Sequence, residues 1–248
     1  MLAGCGTADY EAKMTRTLSE ANRLTPFAAL YDQPITIPGT GVTVRIPKLF
    51  DQTSASYAPG AISARDSSPD KENQADPKRL NPSFLTIPDL KTTYEIYVTQ
   101  TSQVPMPAYC YLAVKKKSAP GPEEAKALET DLSAQLKAKF PDQDPKWDDV
   151  TVTSPDLTPE GGAKTLAWRK LAIKAKQEFD TGNSGSPQFY ERESQFELWM
   201  LDGESEIVLI GWSVPELIAG TVNLATLSQP TAGTVAIGAA PAPDPAAG

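Results

Sequence analysis

A turn signal between two apolar runs constrains the fold of this chain more than any other feature. The run FELWML (196–201) precedes Asp202-Gly203, and EIVLIGWSV (206–214) follows shortly after. An Asp-Gly pair between two strand-like runs strongly favours a β-hairpin, because both residues tolerate the positive φ angles of a tight turn. The sequence therefore predicts that 190–201 and 205–214 pair as antiparallel strands.

Other runs of apolar or alternating residues predict further strands. A hairpin is predicted over 35–46, around the turn residues Gly39-Thr40-Gly41. TVAI (234–237) predicts a short edge strand. The remaining predicted strands are 92–98, 109–114, 148–153 and 165–179.

The clearest helix is predicted over 122–140. Pro122 suits the first turn, acidic residues follow it, and lysines occupy the last turn before Pro141. The buried face is expected at Ala125, Leu128, Leu132, Leu136 and Phe140. A final helix is predicted to start at Pro215 and to end before Pro230.

The N-terminal segment 9–25 also predicts a helix, with Asp9 as its cap and Pro26 as its stop. One face of this helix carries a stripe of mostly apolar residues at spacings of four and three. Its members are Tyr10, Met14, Thr17, Ala21 and Leu24. We expect this stripe to dock on the domain or on a partner rather than to form a self-associating stalk.

These elements predict an α+β fold, in which helices pack on a single antiparallel sheet and an N-terminal helix precedes it. Residues 6–34 are the helix and a spacer, and 35–237 form a single α+β domain. The polar, proline-punctuated stretch 51–83 predicts a disordered or loop insertion. Residues 238–248 predict a Pro/Ala-rich disordered tail.

The order of elements from 84 to 237 resembles the PsbP-like fold of photosystem-associated extrinsic proteins. The resemblance is carried by the closing segment FELWMLDGESEIVLIGWSVPELI. It implies an α/β/α sandwich and a family that mostly lacks catalytic sites and binds other proteins. A fold by itself does not define a function.

The residues Leu2-Ala3-Gly4-Cys5 resemble the lipobox of bacterial lipoproteins. The resemblance implies that 1–5 is a lipobox remnant and that Cys5 is the lipidated N-terminus of the mature protein. A signal peptide normally precedes this motif, whereas here Met1 does. We expect the leader to have been lost through a late start codon or through trimming at the processing site.

A lipoprotein would be anchored to the bacterial cell envelope, on the periplasmic or outer-membrane side. The resemblance implies acyl chains such as palmitate on Cys5, and two or more chains give a stable anchor. In many bacteria an aspartate after the cysteine favours retention in the inner membrane, and Gly6 lacks that signal. Cys110, in the apolar run PAYCYLAV, is expected to be a buried hydrophobic residue.

The composition excludes several classes of function. The chain has no histidine, so catalysis through a Ser-His-Asp or Cys-His arrangement is impossible. A net charge of −8 without a basic stripe argues against a nucleic-acid partner. The acidic loop Asp142–Asp149 departs from an EF-hand at Lys146 and Trp147, so a solvated loop is expected and only an ad hoc calcium site remains open. We predict no cofactor and no metal.

The leading hypothesis is a non-enzymatic accessory or protein-binding module on a lipid anchor. Trp199 shares no face with Phe196, Leu198 and Met200, so we expect it to be exposed as a partner contact if helices cover one face of the sheet. The alternatives are a carboxylate-based hydrolase of envelope glycans and a carrier of a small apolar ligand.

Overall fold

The predicted hairpin lies at the centre of the larger sheet. The computed structural model describes residues 7–50, 62–65, 81–98, 106–154, 164–180 and 189–238. Strand β8 (Phe189–Asp202) pairs antiparallel with strand β9 (Glu206–Pro215). The turn between them is closed by the Gly203 N–H, which donates to the Glu206 carbonyl at 2.9 Å. The hairpin prediction is confirmed.

The other predicted strands extend the sheet on both sides of this hairpin. They are β4 (Leu90–Val98), β5 (Met106–Lys116), β6 (Trp147–Thr153) and β7 (Thr165–Asp180), and β3 (Ile62–Arg65) is added to them. Within the described residues the antiparallel order is β3-β4-β5-β9-β8-β7-β6. Strand β3 falls inside 51–83, where a loop or disordered insertion was predicted. Its pairing with β4 supplies the hydrogen bonds that a short polar strand lacks alone.

A second sheet contradicts the predicted fold class. Strands β1 (Ile35–Thr36), β2 (Val42–Val44) and β10 (Ala236–Ile237) form a three-stranded antiparallel sheet in the order β1-β2-β10. Val42 and Val44 are fully buried against the large sheet, so the hairpin packs over its face instead of extending its edge. The α+β prediction of a single antiparallel sheet with helices packed on it is therefore wrong. The α/β/α sandwich implied by the PsbP-like resemblance is wrong for the same reason.

Each face of the large sheet has its own core. Helix α2 (Glu123–Lys139) covers one face and buries the predicted leucines against β7, β8 and β9. The small sheet and the 3₁₀ turn Lys48–Phe50 cover the other face, together with helix α3 (Leu224–Gly233). The residues on this second face include Cys110, Trp168, Trp199 and Trp212.

The last helix begins later and ends later than predicted. A 3₁₀ turn, Glu216–Ile218, follows β9, and α3 starts only after Asn223. The Asn223 side chain accepts a hydrogen bond from the Ala225 N–H at 3.0 Å, which is a favourable N-cap. Pro230 lies inside the helix, although proline removes one backbone bond there. Its burial, with that of Leu227 and Thr231, offsets the lost bond.

Candidate functional site

Trp199 is buried, so its predicted exposure as a partner contact is wrong. Its side chain is 2% exposed and packs edge-on against Trp168 at a ring distance of 6.1 Å. The face assignment was correct, because Phe196, Leu198 and Met200 lie in the opposite core. The prediction of exposure failed because the small sheet and α3 cover the face on which Trp199 lies. Trp199 cannot contact a partner in this conformation.

A charged cluster lies directly beside Trp199. The Glu197 carboxylate accepts a hydrogen bond from Lys170 Nζ at 2.7 Å and from Trp199 Nε1 at 3.1 Å, each on a different oxygen. The Lys170 ammonium also lies 5.0 Å from the centre of a Trp199 ring. Both carboxylate oxygens therefore accept hydrogen bonds from donors of the protein itself. These bonds hold Trp199 in the core that also contains Trp168 and Trp212.

The carboxylates of the acidic loop do not converge on a common site. Asp144 pairs with Lys146 at 3.1 Å, and Asp149 pairs with Arg169 at 2.6 Å. Asp148 and Asp149 are neighbours on strand β6, so they project to opposite faces of the sheet. Across the described ranges, no three residues of the metal-ligating types come together.

A buried polar chain crosses the α2 side of the large sheet. Ser213 Oγ donates to Gln177 Oε1, and Gln177 Nε2 donates to the Tyr111 hydroxyl at 3.5 Å. All of these side chains are at most 4% exposed. Burial raises the pKa of Tyr111, so its hydroxyl stays protonated. The three side chains satisfy one another's hydrogen-bonding groups, so this series of hydrogen bonds has a structural role.

Cys110 has the environment predicted for it. The side chain is 0% exposed in the tryptophan-containing core, and its thiol is unpaired. Burial raises the pKa of this thiol, so the nucleophilic thiolate is disfavoured. Cys5, the other predicted site residue, lies outside the described residues.

The burial of Cys110 predicts a simple thiol count. In protein expressed in a bacterium, where the lipobox resemblance implies acylation of Cys5, we expect no thiol to react with Ellman's reagent in the native state. One thiol should react after unfolding in guanidinium, because Cys110 then becomes accessible while an acylated Cys5 stays blocked. Two reactive thiols after unfolding would contradict acylation. Rapid reaction of Cys110 in the native Cys5→Ser variant would contradict its burial.

Among the described residues, most of the exposed large apolar side chains lie on the N-terminal helix, α1 (Thr7–Leu24). Its side chains there remain strongly exposed: Tyr10 is 67% exposed, Met14 51%, Leu18 55% and Leu24 36%. Thr17 and Ala21 are exposed as well. We expected this face to dock on the domain or on a partner: docking on the domain is wrong, and docking on a partner stays a prediction. We call the set Tyr10, Met14, Thr17, Leu18, Ala21 and Leu24 the α1 stripe.

Leu18 is the member of this stripe that the sequence analysis missed. The residues at alternating spacings of four and three form a narrow seam along α1, which runs from Tyr10 to Leu24. Leu18 lies beside that seam. Tyr10, Met14 and Leu18 are successive residues at a spacing of four, which places them along one side of a helix. This spacing of four was the sequence signal that could have placed Leu18 in the stripe.

Helix α1 joins the folded part of the protein through a short, hydrogen-bonded connection. The Thr25 hydroxyl donates to the Ala21 carbonyl at 2.8 Å, and Pro26 ends the α-helix within the 3₁₀ turn Thr25–Phe27. The Phe27 ring then lies beside Gly233 at the end of α3. The α1 stripe is thus carried next to the domain rather than on a long linker.

The charge of α1 differs from that of the whole chain. The helix contains Asp9, Glu11 and Glu20 together with Lys13, Arg16 and Arg23, so its formal charge is zero. The net charge of −8 is therefore carried by the rest of the protein. An anionic surface that repels the globular part would not repel this helix.

No known protein family matches the chain, and no curated protein is detectably similar to it. The chain's own residues must therefore carry any functional assignment. Within the described ranges, no helix is long and apolar enough to cross a bilayer.

Proposed function

We propose that this protein is a lipid-anchored component of a bacterial envelope, and that it acts there as a non-enzymatic accessory or binding module. Acyl chains on Cys5 hold it at the membrane, and the globular part is displayed on the periplasmic or outer-membrane side. The observation that carries the proposal is positional: the motif Leu2-Ala3-Gly4-Cys5 ends two residues before α1, whose apolar stripe is exposed.

The ion pairs of three carboxylates give no support to the hydrolase alternative. A carboxylate hydrolase needs two facing acids, one of which is held neutral. Arg169 instead pairs with Glu129 and Asp149, and the hydrogen bonds that its guanidinium donates to these two acids raise the pKa of that guanidinium. The hydrogen bond to Glu216 likewise raises the pKa of Lys174. These three acids each pair with a cation and not with a second acid, so they give the hydrolase alternative no support.

The packing between α2 and the sheet gives no support to the carrier alternative. A carrier of an apolar ligand needs an enclosed space between these layers. Leu132 and Leu136 of α2 are at most 1% exposed there, and Phe196 and Leu198 fill the sheet side of the same core. Phe84 adds an edge-on contact to Phe196 at a ring distance of 5.1 Å.

The anchor can be tested by expressing the protein behind a lipoprotein signal peptide in a bacterial host supplied with labelled palmitate. Wild-type protein should incorporate label and sediment with membranes. The Cys5→Ser variant should lose the label and move to the soluble fraction, because the sulfur that carries the diacylglycerol is missing.

The matched control removes the other cysteine of the chain. Cys110→Ala should keep both the label and membrane sedimentation, since a buried thiol carries no lipid. Label retained by Cys5→Ser, or wild-type protein without acyl mass that stays soluble, would contradict the proposed anchor.

A further inference from the structure

The α1 stripe lies where an anchored protein would meet the bilayer. We propose that α1 lies flat on the lipid surface with this stripe in the headgroup region, and that it thereby orients the globular part. This inference rests on the proposed anchor at Cys5. It names a second membrane contact that the anchor alone does not imply.

The short chain between anchor and helix supports a lipid surface as the occupant. One residue, Gly6, lies between Cys5 and Thr7, so the two residues are at most about 7 Å apart. The helix is 18 residues long, about 27 Å. An anchored helix that stood upright would leave Met14 and Leu18 in water, whereas a flat helix buries them in the interface.

The width of the α1 stripe favours a flat surface over a second copy of the helix. At about 100° per residue the stripe spans about 120° of the helix circumference, from Leu24 on one side to Leu18 on the other. A paired helix would cover the narrow seam and leave Leu18 exposed. A lipid surface accommodates the whole width. Thr17, at the middle of the seam, also weakens a two-helix contact.

Charge gives an independent reason for this orientation. The neutral α1 can approach an anionic leaflet, while the acidic remainder is repelled from it. A protein held by Cys5 alone could take up many orientations. Contact through the α1 stripe selects orientations in which the acidic globular part points away from the lipid.

Two identical substitutions on opposite sides of α1 provide the test. Ala21 and Ala12 are nine residues apart, which places them about 180° apart on the helix, and both are exposed. The full chain carrying Cys5→Ser is mixed with vesicles of phosphatidylethanolamine and phosphatidylglycerol (3:1) and sedimented. We expect vesicle binding by this unacylated chain, reduced about tenfold by Ala21→Glu and less than about twofold by Ala12→Glu. Absence of binding, or equal effects of both variants, would overturn the inference.

Spin labels distinguish lipid contact from self-association. In the Cys5→Ser chain, Met14→Cys and Ser19→Cys introduce labelling sites on opposite sides of α1, and buried Cys110 should remain unlabelled. With vesicles, the label at position 14 should gain contact with oxygen and lose contact with a water-soluble nickel chelate. The label at 19 should stay accessible to nickel. Spin–spin broadening at position 14 without vesicles would indicate a second copy and overturn the proposal.

These measurements separate the two proposals. The vesicle and label experiments use unacylated protein, so they do not depend on whether Cys5 is modified in the cell. Acyl mass on Cys5 together with no effect of Ala21→Glu would leave the anchor intact and remove the helix contact. Specific vesicle binding without acyl mass would remove the anchor instead.

Discussion

Replacing Trp199 with alanine should lower the free energy of unfolding by about 3–5 kcal/mol. The side chain is 2% exposed, packs against Trp168 and donates a hydrogen bond to Glu197. Truncation therefore leaves a large cavity and removes a donor from a partly buried carboxylate. Guanidinium unfolding followed by far-UV circular dichroism measures the change without relying on tryptophan fluorescence.

Phenylalanine substitutions give a matched control for this prediction. Trp212 is also fully buried, but within the described part of the chain its indole N–H has no hydrogen-bond acceptor. Trp199→Phe removes a satisfied donor and Trp212→Phe an unsatisfied one, so the former should cost about 1 kcal/mol more. If Trp199→Ala cost less than about 0.5 kcal/mol, the residue would behave as a surface side chain. Its burial would then be contradicted.

Replacing Leu132 with alanine should lower the free energy of unfolding by about 2–5 kcal/mol. Leu132 is 0% exposed at the centre of the contact between α2 and the large sheet. Because the core there is filled by side chains from both layers, the missing methyl groups leave a cavity that the sheet cannot close. Chemical unfolding measured with an unchanged m-value would report this loss.

Leu18→Ala is the control for the same chemical change in a helix. Leu18 is 55% exposed on α1, so its truncation should alter the unfolding free energy by less than about 0.5 kcal/mol. In the vesicle assay the order of the two effects is reversed: Leu18→Ala should weaken vesicle binding, and Leu132→Ala should not. Equal destabilisation by both would contradict the division into a buried α2 face and an exposed α1 stripe.

Local signals were sufficient for most elements of the fold. The Asp202-Gly203 turn, the periodicity of α2 and the alternation in β7 each depend on neighbours within a few residues. Those elements form where the sequence predicted them. The start of α3 was predicted wrongly because Pro215 was read as a first-turn residue, while the capping side chain of Asn223 marks the actual beginning.

The sequence predicted on which face of the sheet a strand residue lies, but it did not predict which elements pack over that face. Alternation correctly separated Trp199 from Leu198 and Met200, since successive side chains point to opposite sides. Whether the tryptophan side meets water depends on where β1, β2 and β10 pack. Those strands come from both ends of the chain, and no local pattern encodes their meeting.

The order of residues alone determined the hairpin, the amphipathic helices, the absence of histidine and the lipobox-like motif, because each is a property of short stretches or of composition. Three-dimensional packing decided that the described residues form two sheets, that Trp199 is internal and that the α1 stripe is exposed. The physical reason is that burial results from contacts between segments distant in the chain. An apolar side chain has the same local signature whether the domain covers it or leaves it for a lipid surface.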